Sequence, residues 1–300
     1  MTSVCSHAES APVSDASGVR GILTYRTADG LSLVADTGGD RRDPTVVLLH
    51  GGGQTRHSWS GAMDALLGAG YRVINYDARG HGDSDWAADG NYVLKTRAQD
   101  LLTVIADEAP PVALVGASMG GATAIAAVSH GFFTPAALVL VDIVPRIDRR
   151  GVARIRRFME GHPEGFASVA DAARAVADYN PHRSQASDHA GLLKNLRQRD
   201  NGRFYWHWDP RILRDPELDI AELESTMAGL SRAPELPIQL VRGMESDIVN
   251  DHGVEELRRT LPQLEVFDVE GAGHMVAGDR NDRFNAAVIE FLRRTVPPRR

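Results

Sequence analysis

Short apolar runs alternate with stretches of helical spacing along most of the chain. Six of the runs are almost continuously apolar and rich in β-branched residues, which is typical of strands buried on both faces of a sheet. These runs are Thr45–Leu49, Tyr71–Tyr76, Val112–Val115, Ala137–Val141, Ile238–Val241 and Leu264–Val269. Between them, apolar residues recur every three or four positions, as from Leu94 to Ile105 and from Phe284 to Leu292. The alternation predicts an α/β fold with a mostly parallel, doubly wound sheet.

Three segments depart from this alternation. The stretches GILTYR and LSLVAD, separated by TADG, predict an antiparallel hairpin at the edge of the sheet. Residues 144–234 are rich in Arg, Asp, Ala and aromatic residues, have helical character, contain no convincing strand and are too long for an ordinary connection. We therefore expect a helical lid at residues 144–234, inserted into a core formed by residues 19–143 and 235–300. Residues 1–18 are small and polar, which predicts a flexible tail rather than a signal peptide.

One hydroxyl group lies among glycines in the stretch ALVGASMGGATA. Ser118 fits the pattern G-x-S-x-G, directly after a predicted strand and before a helix-like apolar stretch. A strand, a tight turn and a helix are the context in which this pattern presents a nucleophilic serine. The alternative is a Gly/Ser turn without chemistry, but the flanking strand and helix favour a nucleophile.

A serine hydroxyl is a weak nucleophile unless a base takes its proton, and histidine is the usual base because its pKa lies near neutrality. The chain has 11 histidines. His274, in the glycine-rich stretch VEGAGHMVAGD, follows the last predicted strand and is the strongest candidate. Its glycine neighbours allow a loop to carry the ring over the edge of the sheet.

The third member of such a site is a carboxylate that orients the imidazole. Asp247 follows the predicted strand Ile238–Val241, and Glu245 and Asp251 are near rivals. Asp142 is the main competitor, because it directly follows the predicted strand Ala137–Val141. We favour Asp247, because a loop flanked by a glycine and a serine positions an acid well.

Backbone amides that stabilise negative charge are expected from the stretch LLHGGGQTRHSW, which follows the first buried strand. An HGGG loop and the amide after the nucleophile form the oxyanion hole in a known class of serine enzymes. Here those amides belong to Gly52 and Met119, with Gly53 as a further candidate for the oxyanion or the substrate. Trp206 and Trp208, in RFYWHWDP, could line an apolar substrate pocket, although packing of the lid onto the core explains them equally simply.

Composition narrows the class of protein further. A net charge of -7 argues against nucleic-acid binding and gives no reason to expect binding to a membrane. The single cysteine, Cys5, cannot form an intramolecular disulfide, and no apolar run is long enough to span a membrane, so we expect a cytoplasmic protein. The sequence has no Cys pair, H-E-x-x-H, EF-hand loop or P-loop, so we expect no metal and no cofactor. The expected partner is a small-molecule substrate, and the oligomeric state is left open.

Five motifs of the sequence resemble, in the same order, those of the α/β-hydrolase superfamily: HGGG, DARGHGDSD, GASMGG, SDIV and GAGHM. The resemblance is to the lid-bearing branch, which includes haloperoxidase-like esterases and carbon–carbon bond hydrolases. The resemblance covers residues 21–294. It implies the order nucleophile, acid, histidine, and a structural role for the RGHGDS turn, so His81 is not a catalytic candidate. Haloalkane dehalogenases and epoxide hydrolases of this fold have aspartate at the nucleophile position. Ser118 therefore favours acyl over alkyl chemistry. Met275 follows His274, where several subgroups have tryptophan.

These features together predict a cofactor-independent serine hydrolase. We expect it to cleave a carboxylic ester, thioester or lactone of a small to medium apolar substrate through an acyl-enzyme. The first alternative is hydrolytic carbon–carbon cleavage of a vinylogous diketone, which requires polar lid groups such as Arg203 or Arg211. The second is a ligand receptor built on the same scaffold.

Overall fold

An eight-stranded sheet forms the centre of the protein in a computed structural model that describes residues 20–179, 190–213, 216–276 and 281–299. The strand order is β1-β2-β4-β3-β5-β6-β9-β10. The β1–β2 and β2–β4 pairs are antiparallel and all other neighbours are parallel. These pairings confirm the mostly parallel sheet and the edge hairpin. The strands are β1 Gly21–Arg26, β2 Ser32–Gly38, β3 Thr45–Leu49, β4 Arg72–Tyr76, β5 Val112–Ala117, β6 Ala137–Val141, β9 Ile238–Gly243 and β10 Leu264–Val269.

Helices cover both faces of the sheet. The four central strands β3 to β6 are entirely or almost entirely buried, as their near-continuous apolar sequences require. One face packs against a cluster containing Leu101 and Ile125, and the other against a cluster containing Trp59 and Phe291. The helices are α1 Ser60–Gly68, α2 Leu94–Ile105, α3 Met119–Ser129, α4 Arg149–Glu160, α5 Val169–Tyr179, α6 Ala190–Leu193, α7 Pro216–Ala228, α8 Asp251–Thr260 and α9 Asn281–Thr295.

The inserted segment, residues 144–234, joins β6 to β9. It contains α4 to α7 and also a two-stranded antiparallel sheet of β7 Leu196–Gln198 and β8 Phe204–Trp206. The expectation that this segment contains no strand is therefore wrong. Its strands are only three residues long, and the β8 end is also held by a bridge between Phe166 and Phe204. Such strands have too few residues to show alternation.

Two further observations complete the description. No helix among the described residues combines the length and apolar character needed to cross a membrane. The predicted tail at residues 1–18, including Cys5, lies outside the described residues.

Candidate active site

Ser118 occupies a sharp turn between β5 and α3. Its backbone has φ 47° and ψ −113°, a conformation that L-residues rarely adopt. The turn is possible because its flanking residues are glycines. A Cβ atom would lie 2.6 Å from the Gly120 carbonyl oxygen if built on Gly116, and 2.2 Å from the Leu49 oxygen if built on Gly120. The predicted strand, tight turn and helix around Ser118 are therefore present, and the turn depends on both glycines.

Asp142 lies beside Ser118 at the same edge of the sheet. The residue pair Ala117 and Val141 ends the β5–β6 ladder, so Ser118 and Asp142 are the next residue on each strand. The side chain of Asp142 is completely buried, and its backbone φ is 49°. Its carboxylate accepts hydrogen bonds from the Gly243 amide at 3.1 Å and from Ser246 Oγ at 2.5 Å. These two donors, one at the end of β9 and one in the loop after it, fix the carboxylate in place.

His274 completes this arrangement through Asp142. His274 Nδ1 lies 2.7 Å from Asp142 Oδ2, and the imidazole is 14% exposed. A proton on Nδ1 shared with a carboxylate leaves Nε2 of the neutral ring free to act as a base. His274 therefore makes, through Nδ1, the hydrogen bond to a carboxylate that orients a catalytic histidine.

The acid that contacts His274 is not the predicted one. Asp247 Oδ2 accepts from Arg154 Nη1 of α4 at 2.9 Å, and the Asp247 side chain is 33% exposed. Ser246 Oγ accepts from the amides of Ile248 and Val249, which tightens the loop while its own hydroxyl donates to Asp142. In this loop, Ser246 therefore donates to the buried Asp142, whereas the Asp247 side chain contacts the inserted segment. The predicted partner of His274 is corrected from Asp247 to Asp142. Of the near rivals, Asp251 pairs with Arg242 at 2.6 Å.

The amides predicted to stabilise an oxyanion lie on two adjacent segments. A Cβ atom on Gly52 would lie 3.9 Å from both Cβ and Sδ of Met119, so the glycine loop runs past the start of α3. Met119 is the first residue of α3, where an N–H group has no intrahelical acceptor. Within the described part of the chain, the Gly52 amide also donates to no acceptor. The two amides are therefore available to a ligand.

Gly53 has a different environment from Gly52. Its N–H donates to His81 Nε2 at 3.2 Å, so it is not free to bind an oxyanion. Its φ of 71° favours glycine, and an added Cβ would lie 3.1 Å from Met159 Cε and 3.5 Å from Trp208 Cζ3. Gly53 is thus a contact point between the glycine loop and the inserted segment.

The two predicted pocket tryptophans belong to an aromatic cluster of the inserted segment. Trp206 and Trp208 stack with ring centroids 5.0 Å apart and an interplanar angle of 11°. Phe158 packs on Trp206 at 5.4 Å. Trp208 lies against Gly53, and Trp206 belongs to the same buried cluster. Trp208 and Met159 are therefore the side chains of the inserted segment that lie against the glycine loop at Gly53.

Three buried histidines, His50, His81 and His207, lie next to one another beside the site. The ring centroids are 5.0 Å apart for His50 and His81 and 5.9 Å apart for His81 and His207. Burial lowers the pKa of all three, that of His81 well below its usual value and that of His207 to about 3. His207 comes from the inserted segment. Sequence reasoning did not find it, because nothing in HWD distinguishes a buried histidine from an exposed one.

These histidines are expected to make the protein less stable in mild acid. In the folded protein the lowered pKa values keep the rings neutral, whereas unfolded histidines bind protons below about pH 6.5. The unfolded state then binds more protons, so stability falls as the pH decreases. Between pH 7.5 and 5.5, His81 and His207 should each account for up to about 1.4 kcal/mol of the free energy of unfolding, and His50 adds to that loss. Urea unfolding at the two pH values measures this loss.

A pair of variants checks the source of the loss. His207→Asn removes one titrating ring and should reduce the difference between the two pH values by about 1.4 kcal/mol. His252 is exposed at the start of α8, so His252→Asn should leave the difference unchanged. Equal unfolding free energies at pH 7.5 and 5.5 in the unmodified protein would show that the rings are not neutral and buried.

No group of three or more His, Cys, Asp or Glu residues suited to holding a metal ion occurs among the residues that the structure describes.

Comparison with known proteins places the chain in a family. The Alpha/beta hydrolase family model matches residues 46–287, so the chain belongs to the α/β-hydrolase family. The chain is 34% identical to esterase Rv0045c of Mycobacterium tuberculosis, over 83% of this chain and 82% of the relative. It is also 31% identical to the sn-1-specific diacylglycerol lipase ABHD11 of Mus musculus, over 85% of this chain and 82% of that protein.

Solved structures agree with this assignment. A structure of the Mycobacterium tuberculosis esterase Rv0045c aligns with a TM-score of 0.70 and 30% identity, covering 91% of each chain. An α/β hydrolase from Novosphingobium aromaticivorans aligns with a TM-score of 0.74 and 25% identity, covering 92% of this chain and 98% of the other. The family and these relatives support a hydrolase.

Proposed function

We propose that the protein is a serine hydrolase that cleaves a carboxylic ester, thioester or lactone through an acyl-enzyme on Ser118. The observation that carries this proposal is the hydrogen bond between His274 and the buried Asp142, at the sheet edge where Ser118 occupies its strained turn. A turn without chemistry has no need of an adjacent pair of histidine and buried carboxylate. The similarity to an esterase over most of the chain supports the ester as the substrate class.

In the proposed reaction, Ser118 Oγ attacks the substrate carbonyl carbon while His274 Nε2 takes the hydroxyl proton. Asp142 holds the ring in the required tautomer and stabilises the imidazolium that forms. The tetrahedral intermediate then collapses, the bond to the leaving alcohol breaks, and His274 gives its proton to that alcohol. Water, deprotonated by His274, then attacks the acyl carbon. The bond to Ser118 Oγ breaks, His274 returns its proton to Ser118 Oγ, and the carboxylic acid is released.

The negative charge of the tetrahedral intermediate falls on the former carbonyl oxygen. The amides of Gly52 and Met119 are the proposed donors to it, because they lie on adjacent segments and give no hydrogen bond to an acceptor among the described residues. One such donor typically contributes about 2.7–4 kcal/mol of transition-state stabilisation.

We propose that residues 144–234 act as a lid and that the acyl group of the substrate is apolar. Met159 and Trp208 of this segment lie against Gly53, immediately after the proposed oxyanion donor Gly52. Both side chains are buried and belong to one apolar cluster. An apolar wall next to the reacting carbonyl favours a small to medium hydrophobic acyl group over a charged one.

The contacts of two lid arginines favour ester hydrolysis over carbon–carbon cleavage, which requires polar lid groups to protonate the substrate. Arg203 donates to the carbonyl oxygens of Glu164 and Gly165. Arg211 pairs with Asp209 and donates to the carbonyl oxygen of Ala87. Both guanidinium groups are thus used in holding the inserted segment together and docking it onto the core.

Reaction with a fluorophosphonate probe tests the proposal, together with hydrolysis of p-nitrophenyl esters from acetate to octanoate. We expect one adduct per chain, located on the peptide that contains Ser118, and turnover of at least one ester. An adduct on another residue, or neither adduct nor turnover, would contradict the proposal.

Shortening Met159 should change which acyl groups the enzyme accepts. Met159→Ala removes the side chain that lies against Gly53, so longer acyl chains gain space beside the carbonyl. We expect the ratio of kcat/KM for octanoate to that for acetate to rise about 10-fold, because one or more methylene groups in an apolar pocket change specificity by about 10–200-fold. The measurement is kcat/KM over the ester series.

Met244→Ala is the matched control, because Met244 is 52% exposed. It should leave the ratio unchanged. A uniform loss of activity on every ester in Met159→Ala, with no change in the ratio, would show that Met159 does not line the acyl site.

A further inference from the structure

The glycine loop is held by side chains on both sides of the Gly52 amide. Gly51 N–H donates to Gln54 Oε1 at 3.1 Å. On the other side, Gly53 N–H donates to His81 Nε2 at 3.2 Å, and Gly53 O lies 3.4 Å from His207 Nε2. Glycine backbones have the most conformational freedom of any residue, so a run of three needs such contacts to keep one geometry. The peptide that carries the Gly52 N–H is also held through its own carbonyl oxygen, because Gly51 O accepts from the Gln54 amide at 3.1 Å and lies 2.8 Å from His50 Nδ1.

The two histidines can make these contacts only as neutral rings of defined tautomer. His81 Nε2 accepts from Gly53 and is therefore unprotonated, while His81 Nδ1 faces the Arg79 carbonyl oxygen at 3.1 Å and carries the proton. His207 has the opposite arrangement. Its Nδ1 accepts from the Gly82 amide at 2.7 Å, so Nε2 carries the proton that points to Gly53 O.

His207 belongs to the inserted segment, whereas Gly53, His81 and Gly82 belong to the core. It directly follows β8, and its backbone amide donates to the Asn195 carbonyl oxygen. Trp86 Nε1 donates to the His207 carbonyl oxygen at 3.3 Å. One residue of the inserted segment is therefore bound to two core loops, the glycine loop and the RGHGDS turn.

We propose that His207 is a positioning residue of the oxyanion hole. Its Nε2–H holds the Gly53 carbonyl oxygen while the inserted segment is docked on the core. The same peptide carries the Gln54 N–H, which donates to the Gly51 carbonyl oxygen and so fixes the peptide that bears the Gly52 N–H. Docking of the segment thus completes the geometry that stabilises the tetrahedral intermediate. This inference rests on the proposed function, since it assigns His207 a part in that reaction.

Two substitutions separate the two hydrogen bonds of the His207 ring. His207→Asn places an acceptor near the position of Nδ1 and keeps the bond from Gly82, but it loses the donor to Gly53 O. His207→Gln places an amide donor near the position of Nε2 and keeps the bond to Gly53, but it loses the acceptor for Gly82. Trp86→Phe is the matched control, because it removes a hydrogen bond between the core, two residues after the RGHGDS turn, and the inserted segment without touching Gly53.

With p-nitrophenyl butyrate as the probe, we expect H207N to lower kcat about 10–100-fold with KM within twofold of the unmodified protein. We expect H207Q and W86F to keep kcat within threefold. Thermal unfolding of all three shows how much each loses in stability. A residue that only holds the fold would give activities that follow the melting temperatures, with no advantage of H207Q over H207N.

The inference is overturned if H207N keeps its kcat, or if folded H207N and H207Q lose activity equally. If H207N does not fold, H207Q decides alone, because a 30-fold loss of kcat at unchanged KM in that folded variant contradicts the assigned role of the donor. Failure of the proposed function gives a different result. In that case the unmodified protein forms no fluorophosphonate adduct on Ser118 and hydrolyses no ester.

Discussion

Ser118→Ala is expected to lower kcat on p-nitrophenyl esters by about 10⁶-fold, the loss found when a serine enzyme is left without its nucleophile. The substitution removes only the hydroxyl oxygen. The turn of Ser118 depends on Gly116 and Gly120, which alanine at 118 leaves in place. The variant should therefore fold, with a far-ultraviolet circular dichroism spectrum and melting temperature close to those of the unmodified protein. The rate that remains should be close to what substrate binding and the two proposed oxyanion amides provide without the nucleophile.

Ser58→Ala provides the comparison, since Ser58 is exposed and lies several residues after the glycine loop. It should keep full activity and full labelling by the fluorophosphonate probe, whereas Ser118→Ala should lose both. A Ser118→Ala protein that folds normally and hydrolyses esters within tenfold of the unmodified rate would exclude Ser118 as the nucleophile.

The strands of the central sheet and the sharp turn at Ser118 could be predicted because their signals are local. A buried parallel strand is a short apolar run, and a tight turn needs glycines at fixed distances from the serine. His274 was singled out in the same way, from glycine neighbours after the last strand, and the structure brings it to Asp142. Each of these signals is contained within about ten residues of sequence.

The choice between Asp142 and Asp247 could not be made in this way. Both residues follow the carboxyl end of a parallel strand, so both lie at the same edge of the sheet. What separates them is the direction of each side chain, which depends on Ser246 and on the position of α4. One feature of the sequence does favour Asp142 over Asp247: it directly follows its strand β6, as Ser118 directly follows β5.

The structure of the inserted segment is even harder to predict from the sequence. Its strands β7 and β8 are too short for a periodic pattern, and its residue His207 acquires its role only through contacts with Gly53 and Gly82. Contacts between residues more than a hundred positions apart leave no trace in a single sequence. Aromatic content predicts an apolar pocket, but only the structure shows that Trp208 lies against Gly53 of the glycine loop.

Asp142→Asn should lower kcat by about 10⁴-fold while Asp247→Asn leaves it within about threefold. An asparagine amide at 142 donates to His274 Nδ1, so the ring keeps its proton on Nε2 and can no longer accept the proton of Ser118. Asp247 contacts Arg154 at a partly exposed position, so its loss removes an ion pair that contributes about 1 kcal/mol or less. Steady-state kinetics on one ester, with thermal unfolding of each variant, measure both effects.

Arg154→Gln tests the role that the structure gives to Asp247. If Asp247 serves only to hold α4, this variant should keep kcat within about threefold, as Asp247→Asn does. It should lose at least as much stability, because Arg154 also donates to the Tyr179 carbonyl oxygen, and adding Asp247→Asn to it should cost little more, because the ion pair is already lost. Asp142→Asn should stand apart, with a large loss of kcat that no change in stability accounts for. The reverse ranking, in which Asp247→Asn is the inactive variant, would return the role of the acid to Asp247 and would require the loop after β9 to rearrange before His274 can act.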